Sequence, residues 1–286
     1  LMNDGLFPPL ALVAAQLPAF LVVIGLERAF PYHAPWNRSH GDLGVDIRHI
    51  VTITLVSGLA DPAFRALGLV AAIALLGGHT LALWPTEWPL LAQLVVALVI
   101  GELGQYWMHR MQHEWDFLWR FHALHHSAPR LYWLNAARFH PVDILLNNFM
   151  ATVPLALLGA GEAVLALWLL FSAVHGIFQH SNMPVRIGPL NWFFSMAELH
   201  RWHHSRLVEE SNTNYGQNLA IWDLVFGTRF LPADREPPRD IGLTGLSAYP
   251  MSWLDQQLAP LRWRDIREAS RREDDPPGQS NSGFEC

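Results

Sequence analysis

The stretch WPLLAQLVVALVIGELGQYWMHRMQHEWDFLWRFHALHHS, residues 88–127, joins two kinds of sequence back to back. Residues 88–108 are apolar except for a few positions, with Glu102 near their end. As a helix rising about 1.5 Å per residue they are long enough to span a bilayer core. Directly behind them come His109, His113, His122, His125 and His126. Helix positions i, i+3 and i+4 share a face. His109 and His113 therefore project together, and His122 shares a face with His125 and His126. A membrane helix that ends in clustered imidazoles predicts an all-α membrane bundle with a histidine-rich metal cap.

Further along, His200-Arg-Trp-His203-His204 repeats the spacing of His122-Ala-Leu-His125-His126. Adjacent histidines diverge by about 100° around a helix, so the pairs 125/126 and 203/204 can serve two different metals. The two clusters and the His109/His113 pair supply eight imidazoles, too many for one metal and suitable for two. His180, at the end of an apolar run, reads as a ninth ligand. His175, five residues earlier, is a weaker candidate. His140, in Arg138-Phe139-His140-Pro141, reads equally as a ligand or as support for one. His33, His40, His49 and His79 have no spacing partners and read as packing residues.

Neutral imidazoles cancel none of the charge of two cations, so acids are expected nearby. Glu102, Asp116, Asp143 and Glu198 are close to the clusters in sequence. Glu102 stands two helical turns before His109. Buried acids in membrane helices are costly and functional by default. Glu102 and Asp143 are the candidate catalytic supports behind the metal ligands. Imidazole suits iron, zinc, copper and nickel alike, so the ligand set does not name the metal.

Composition narrows the classes. Of the 286 residues, 51% are hydrophobic and only 15% charged, too apolar for an average soluble domain. The net charge is -6 and no basic tract points to nucleic acid. All 19 basic residues are arginine. The lone Cys286 excludes intrachain disulfides, iron–sulfur clusters and thiolate zinc sites. No HExxH metalloprotease motif or GxGxxG nucleotide-binding stretch is present. Electrons for any redox reaction must come from a separate carrier, and Arg130, Arg186 and Arg206 near the cap are candidates to attract an acidic one.

Hydropathy places about four spans plus interfacial helices. Residues 5–26 form a first span with Pro8, Pro9 and Pro18, read as an anchor. Residues 49–60 and 66–86 form a second region, broken at Asp61, Pro62 and Arg65, as one interrupted span or a span plus an interfacial helix. Residues 88–108 form the third. Residues 144–158 and 163–180 form a hairpin turning at Gly159-Ala160-Gly161-Glu162. Arginines follow the first and third spans and the hairpin, whereas the loops 77–87 and 159–162 contain none, which predicts a cytoplasmic cap. The domain reading is N-terminal spans at 1–87, a histidine-box domain at 88–230 with a membrane hairpin at 143–180, and a polar segment at 231–286, disordered from about 265.

In order, Tyr106-Trp107-x-His109-Arg110-x-x-His113, Trp119-Arg120-Phe121-His122-Ala-Leu-His125-His126-Ser127, Arg138-Phe139-His140-Pro141, His180-Ser181-Asn182, His200-Arg201-Trp202-His203-His204-Ser205 and Asn214-Tyr215-Gly216 with Ile221-Trp222-Asp223-Leu224-Val225-Phe226-Gly227-Thr228 resemble the boxes of the fatty acid hydroxylase superfamily. That superfamily includes sterol desaturases, sterol methyl oxidases and alkylglycerol monooxygenases. The resemblance covers about residues 90 to 230. It implies two iron ions, with zinc as a substitute, O2 as oxidant and a lipid substrate that is hydroxylated or desaturated. It also implies an external donor such as a ferredoxin or cytochrome with its reductase. Glu102 stands where the family commonly has Asp, and Asp143 where it commonly has Glu. The competing classes are a di-zinc membrane hydrolase and a metal-binding membrane protein without redox chemistry. The arginine-only composition points to a bacterial inner membrane.

Overall fold

In a membrane the hydrogen bonds of a spanning backbone must close within the segment, and helices do this. The computed structural model describes residues 9–76 and 83–274. Among the described residues there is no strand, only two isolated bridges, Phe194 with Leu219 and Ser205 with Ile241. Among the described residues four helices are long and apolar enough to cross a membrane: α2 (Leu43–Leu76, through its part Leu43–Phe64), α3 (Leu90–Glu114), α5 (Pro141–Leu158) and α6 (Glu162–His180). Before them, α1 (Pro9–Ala29) runs unbroken through Pro18 and packs Phe20 and Val23 near Ile177 and Met183. The start of the expected first span, residues 5–8, lies outside the described residues.

As far as Leu76 the second apolar region is one helix, not two; residues 77–82 lie outside the described residues. The helix α2 continues through Pro62 to Leu76. His79 lies outside the described residues.

The core between the spans is built from α3, α5 and α6, where Ala97, Leu98, Ala151, Leu155 and Trp168 are buried together. The crossing of α3 and α5 depends on Gly104. A Cβ there would sit 2.0 Å from the Met150 carbonyl oxygen, so only glycine admits the approach. By chain order, the N-termini of α2 and α5 and the C-termini of α3 and α6 lie at one end of the bundle. The short α4 (Asp116–His126) and α7 (Ala197–His203) cap that end.

The C-terminal segment differs from its expected disorder as far as Asp274; residues 275–286 lie outside the described residues. Beyond α8 (Val208–Ser211) and α9 (Ile221–Val225), the chain forms α10 (Trp253–Leu258) and α11 (Trp263–Asp274). Trp263 and Ile266 of α11 join Leu246, Tyr249 and Ala259 against Ala123 and Leu124 of α4. Two apolar side chains one helical turn apart suffice to dock an otherwise polar helix. This layer buries the face of α4 turned away from its histidines.

Candidate metal centre

Nine of the eleven histidines proposed as ligands converge at the cap in two groups. His109, His113, His122, His126 and His203 form one, and His125, His180, His200 and His204 form the other. Within each group one ring nitrogen per residue lies within 4.8 Å of all the others. The neighbours 125/126 and 203/204 divide between the groups, as their angular separation on a helix requires. The groups are adjacent: the stacked rings of His126 and His204, one from each, have centroids 4.4 Å apart.

Six of the nine have a held outward nitrogen, whereas Nδ1 of His200 and His204 is buried with no partner among the described residues. His109 Nδ1 lies 2.7 Å from the Tyr215 carbonyl oxygen and His203 Nδ1 2.8 Å from that of Thr213. His113 Nδ1 meets Asn212 Oδ1 at 3.1 Å, and His122 Nδ1 meets Asp143 Oδ2 at 2.8 Å. In the second group His125 Nδ1 approaches the Arg138 carbonyl at 3.3 Å, and His180 Nδ1 approaches Asn135 Oδ1 at 3.1 Å. An outward nitrogen that donates its proton leaves the other ring nitrogen as a lone-pair donor facing inward.

Those inward nitrogens meet one another. Nε2 of His109 and His122 are 3.1 Å apart, those of His180 and His200 2.8 Å, and those of His200 and His204 2.9 Å. Nε2 of His113, His126 and His203 is buried with no hydrogen-bond partner among the described residues. An unpaired buried polar atom costs about 1–3 kcal/mol, and several converging lone pairs are what a cation satisfies. Burial first, then the neighbouring imidazoles, holds His122, His125, His126, His200 and His204 well below the ordinary imidazole range. They are neutral, as metal ligands must be. The residues therefore fit two metal ions.

His140 and His175 belong to neither group. His140 caps α5: its Nδ1 accepts from the Val142 amide at 3.0 Å, and its Nε2 lies 3.2 Å from the Gln257 carbonyl. His175 stacks on Phe171 beside an apolar cavity. Helix positions five apart diverge by about 140°, so His175 cannot share the face of His180. His49 is buried against Gln256 and Gln257, a packing role.

The acids separate sharply. Asp143 is fully buried and accepts from His122, from Gln112 Nε2 at 2.9 Å and from Asn147 Nδ2 at 2.8 Å. Glu102 is fully buried one step further out, where it accepts the backbone amides of Gln217 and Asn218. Asp116 pairs with Arg267 at the surface, and Glu198 accepts from Asn191. Neither touches a clustered histidine. Arg130 is not an exposed docking residue: it is buried in a two-pronged pair with Asp42, at 2.6 and 3.0 Å. Arg186 and Arg206 are exposed and paired with Glu236 and Asp240.

Asn135, Gln112, Asn147 and Asp46 carry no signal in spacing. Asp46 takes Arg138 Nη1 at 2.7 Å and the Tyr132 hydroxyl at 2.7 Å, and so fixes the turn that supports His125 and His180. Asp223 lies within the last of the boxes, where spacing assigns it no role.

An all-helical bundle with apolar spans and a paired histidine pocket at one end defines a membrane protein of the histidine-box class. A family model described as fatty acid hydroxylase matches residues 94–228. The ornithine lipid hydroxylase OlsE of Rhizobium tropici is 41% identical over 257 residues, covering 88% of this chain and 76% of its own. The chain belongs to the fatty acid hydroxylase family. An alkylglycerol monooxygenase of Xenopus tropicalis is 31% identical over 62% of this chain and 38% of its own. Methylsterol monooxygenase 1 of Rattus norvegicus is 26% identical over 48% of this chain and 46% of its own. This chain thus spans under half the length of those two relatives. No solved structure matches it.

Proposed function

We propose that this chain is a membrane-bound, non-haem di-iron oxygenase that uses O2 to hydroxylate, or by a second hydrogen abstraction desaturate, a C–H bond of a lipid. The observation that carries the reading is the pair of imidazole groups, five and four strong, at one end of the apolar bundle. The relatives are named as hydroxylases and monooxygenases of lipids, which favours iron and O2 over a hydrolytic zinc pair.

In hydroxylation one oxygen atom enters the C–H bond and the other leaves as water, which takes two electrons and two protons from outside the substrate. Two irons held by the nine histidines would supply the activation of O2. The chain's own residues do the rest. Tyr215, Thr213, Arg138, Asn135 and Asp143 orient the rings and fix which nitrogen carries the proton. The layer of Leu246, Tyr249, Ala259 and α11 over α4 keeps bulk water from the centre. An apolar cavity of about 470 Å³, lined by Leu94, Leu167, Phe171, Val174, Phe178 and Met196, is suited to a hydrocarbon chain arriving sideways from the bilayer. The cap faces the cytoplasm of a bacterial inner membrane, where a ferredoxin or cytochrome with its reductase delivers electrons.

The test has two arms. Elemental analysis of iron-replete protein should give close to two metals per chain; a reproducible value near one or zero overturns the di-metal reading. Lipid extracts from cells with and without the gene should differ by a lipid 16 Da heavier or 2 Da lighter. Unchanged lipids in cells with the loaded protein refute the oxygenase reading.

A further inference from the structure

The two histidine groups, each taken as one metal position of the proposed pair, are braced by different parts of the chain. Three of the five histidines in the larger group bond to one loop: His113 to Asn212, His203 to Thr213 and His109 to Tyr215. No histidine of the smaller group bonds to it. His125 and His180 bond instead to Arg138 and Asn135, in the turn held on α2 by Asp46.

Residues 213–219 form no helix of their own, so something must hold Tyr215 where His109 meets it. Glu102 takes the amides of Gln217 and Asn218, and the anchor at Tyr215 and Gly216 is Asp223 in α9, a fully buried side chain. Its Oδ1 accepts from the Tyr215 amide at 2.8 Å and from the Thr228 hydroxyl at 2.7 Å, and its Oδ2 accepts from the Gly216 amide at 2.8 Å. The loop sits directly on this carboxylate. A Cβ on Gly216 would lie 2.3 Å from the Leu219 oxygen and 2.8 Å from Asp223 Oδ2. Asn214, in left-handed backbone at φ 52°, reaches across to Leu199 and Phe230 and closes the other side. The carboxylate takes both amides of the peptide turn whose Tyr215 carbonyl meets His109, and its charge strengthens both bonds.

We infer that Asp223 is a positioning residue for the five-histidine metal position alone, and that the two metals are therefore held independently enough to be lost one at a time. Asp223 touches no histidine. It acts through the Tyr215 carbonyl, which keeps the His109 proton on Nδ1 and Nε2 free to bind metal. Removing its charge frees that carbonyl to shift while the smaller group keeps its braces.

The experiment is metal content, read on the full chain in lipid nanodiscs. Wild type should hold two metals per chain and Asp223→Asn close to one after exposure to a mild chelator, with helical circular dichroism unchanged. The retained metal is located by second substitutions. Adding His204→Ala to Asp223→Asn should bring the content near zero, whereas adding His113→Ala should leave it near one. Retention of two metals by Asp223→Asn, or loss of both together, overturns the inference. A wild-type chain without two metals overturns the two-metal reading on which this inference rests, and the inference with it. Should Asp223→Asn not fold, Thr228→Val decides. It removes one donor to Oδ1, the oxygen that also takes the Tyr215 amide, and leaves both loop amides their acceptor. In the His204→Ala background it should speed chelator release from the five-histidine group several-fold, and an unchanged rate overturns the inference.

Discussion

Asp143→Asn tests how much the metal pocket owes to a buried carboxylate. In the wild type Oδ2 accepts from His122 Nδ1 at 2.8 Å, while Oδ1 accepts from Gln112 at 2.9 Å and Asn147 at 2.8 Å. An amide offers one oxygen where the carboxylate offered two. If its NH2 faces His122, that ring must turn Nδ1 into an acceptor, which puts the proton on the inward Nε2 and blocks metal. If the oxygen faces His122, two amide donors meet an NH2 instead. Asn147 still reaches the Asp143 carbonyl at 3.0 Å, so Gln112 bears most of that loss. In both cases the anion behind the imidazole is gone. Losing such a partner typically costs 10–100-fold in metal affinity, about 1.4–2.8 kcal/mol. Asp143→Ala is the blunter change. It strands His122 and Gln112 at about 1–3 kcal/mol each, enough to confuse loss of metal with loss of fold. The assay is competition between protein in nanodiscs and a chelator of known affinity, with helicity monitored in parallel. Asp143→Asn should retain helicity and bind one metal at least tenfold more weakly. Wild-type affinity for both metals would refute the view that Asp143 tunes His122.

Other outcomes rest on the same geometry. Gly104→Ala forces α3 and α5 apart at Met150 and should destabilise the bundle by about 1–3 kcal/mol, as overpacking does. It should also weaken metal retention, because Asp143 rides on α5; an unchanged melting temperature would count against that crossing. A topology reporter fused after Phe230 should read cytoplasmic and one inserted near Glu162 should not, and the reverse pattern refutes the orientation. Reconstituted protein given O2, lipid and NAD(P)H should turn over repeatedly only when a reductase and carrier are added. Sustained turnover without them would refute the external donor.

Much of the site is legible in the sequence, because the chemistry is written in local spacing. His122, His125 and His126 sit on one short helix, and His200 and His203 on another, with His204 at its C-cap. A period of 3.6 residues fixes which rings share a face and which neighbours part company. The same period separates His175 from His180, because their helix is continuous. His140 is not decidable in this way, since a histidine before proline opens α5 as readily as it binds a metal. The C-terminal helix is hidden because two large apolar residues in twelve do not raise a hydrophobic signal, yet they are enough when α4 offers a waiting surface.

The sequence by itself therefore determined the helical membrane class, the clustering of the imidazoles and the capacity of 125/126 and 203/204 to serve two metals, since each follows from hydropathy or from angles within a single helix; which rings share a group was left to the tertiary structure. Only the tertiary structure decided what stands behind each ring. Asp143 reaches His122 across 21 positions, and the Tyr215 carbonyl reaches His109 across 106. Asp46 fixes Arg138 across 92 positions. Glu102, placed by sequence two turns from His109 on one face, turns instead to the amides of Gln217 and Asn218. Contacts at such separations are set by which helix ends meet at the cap and how closely α3 and α5 pack, and no local periodicity encodes them.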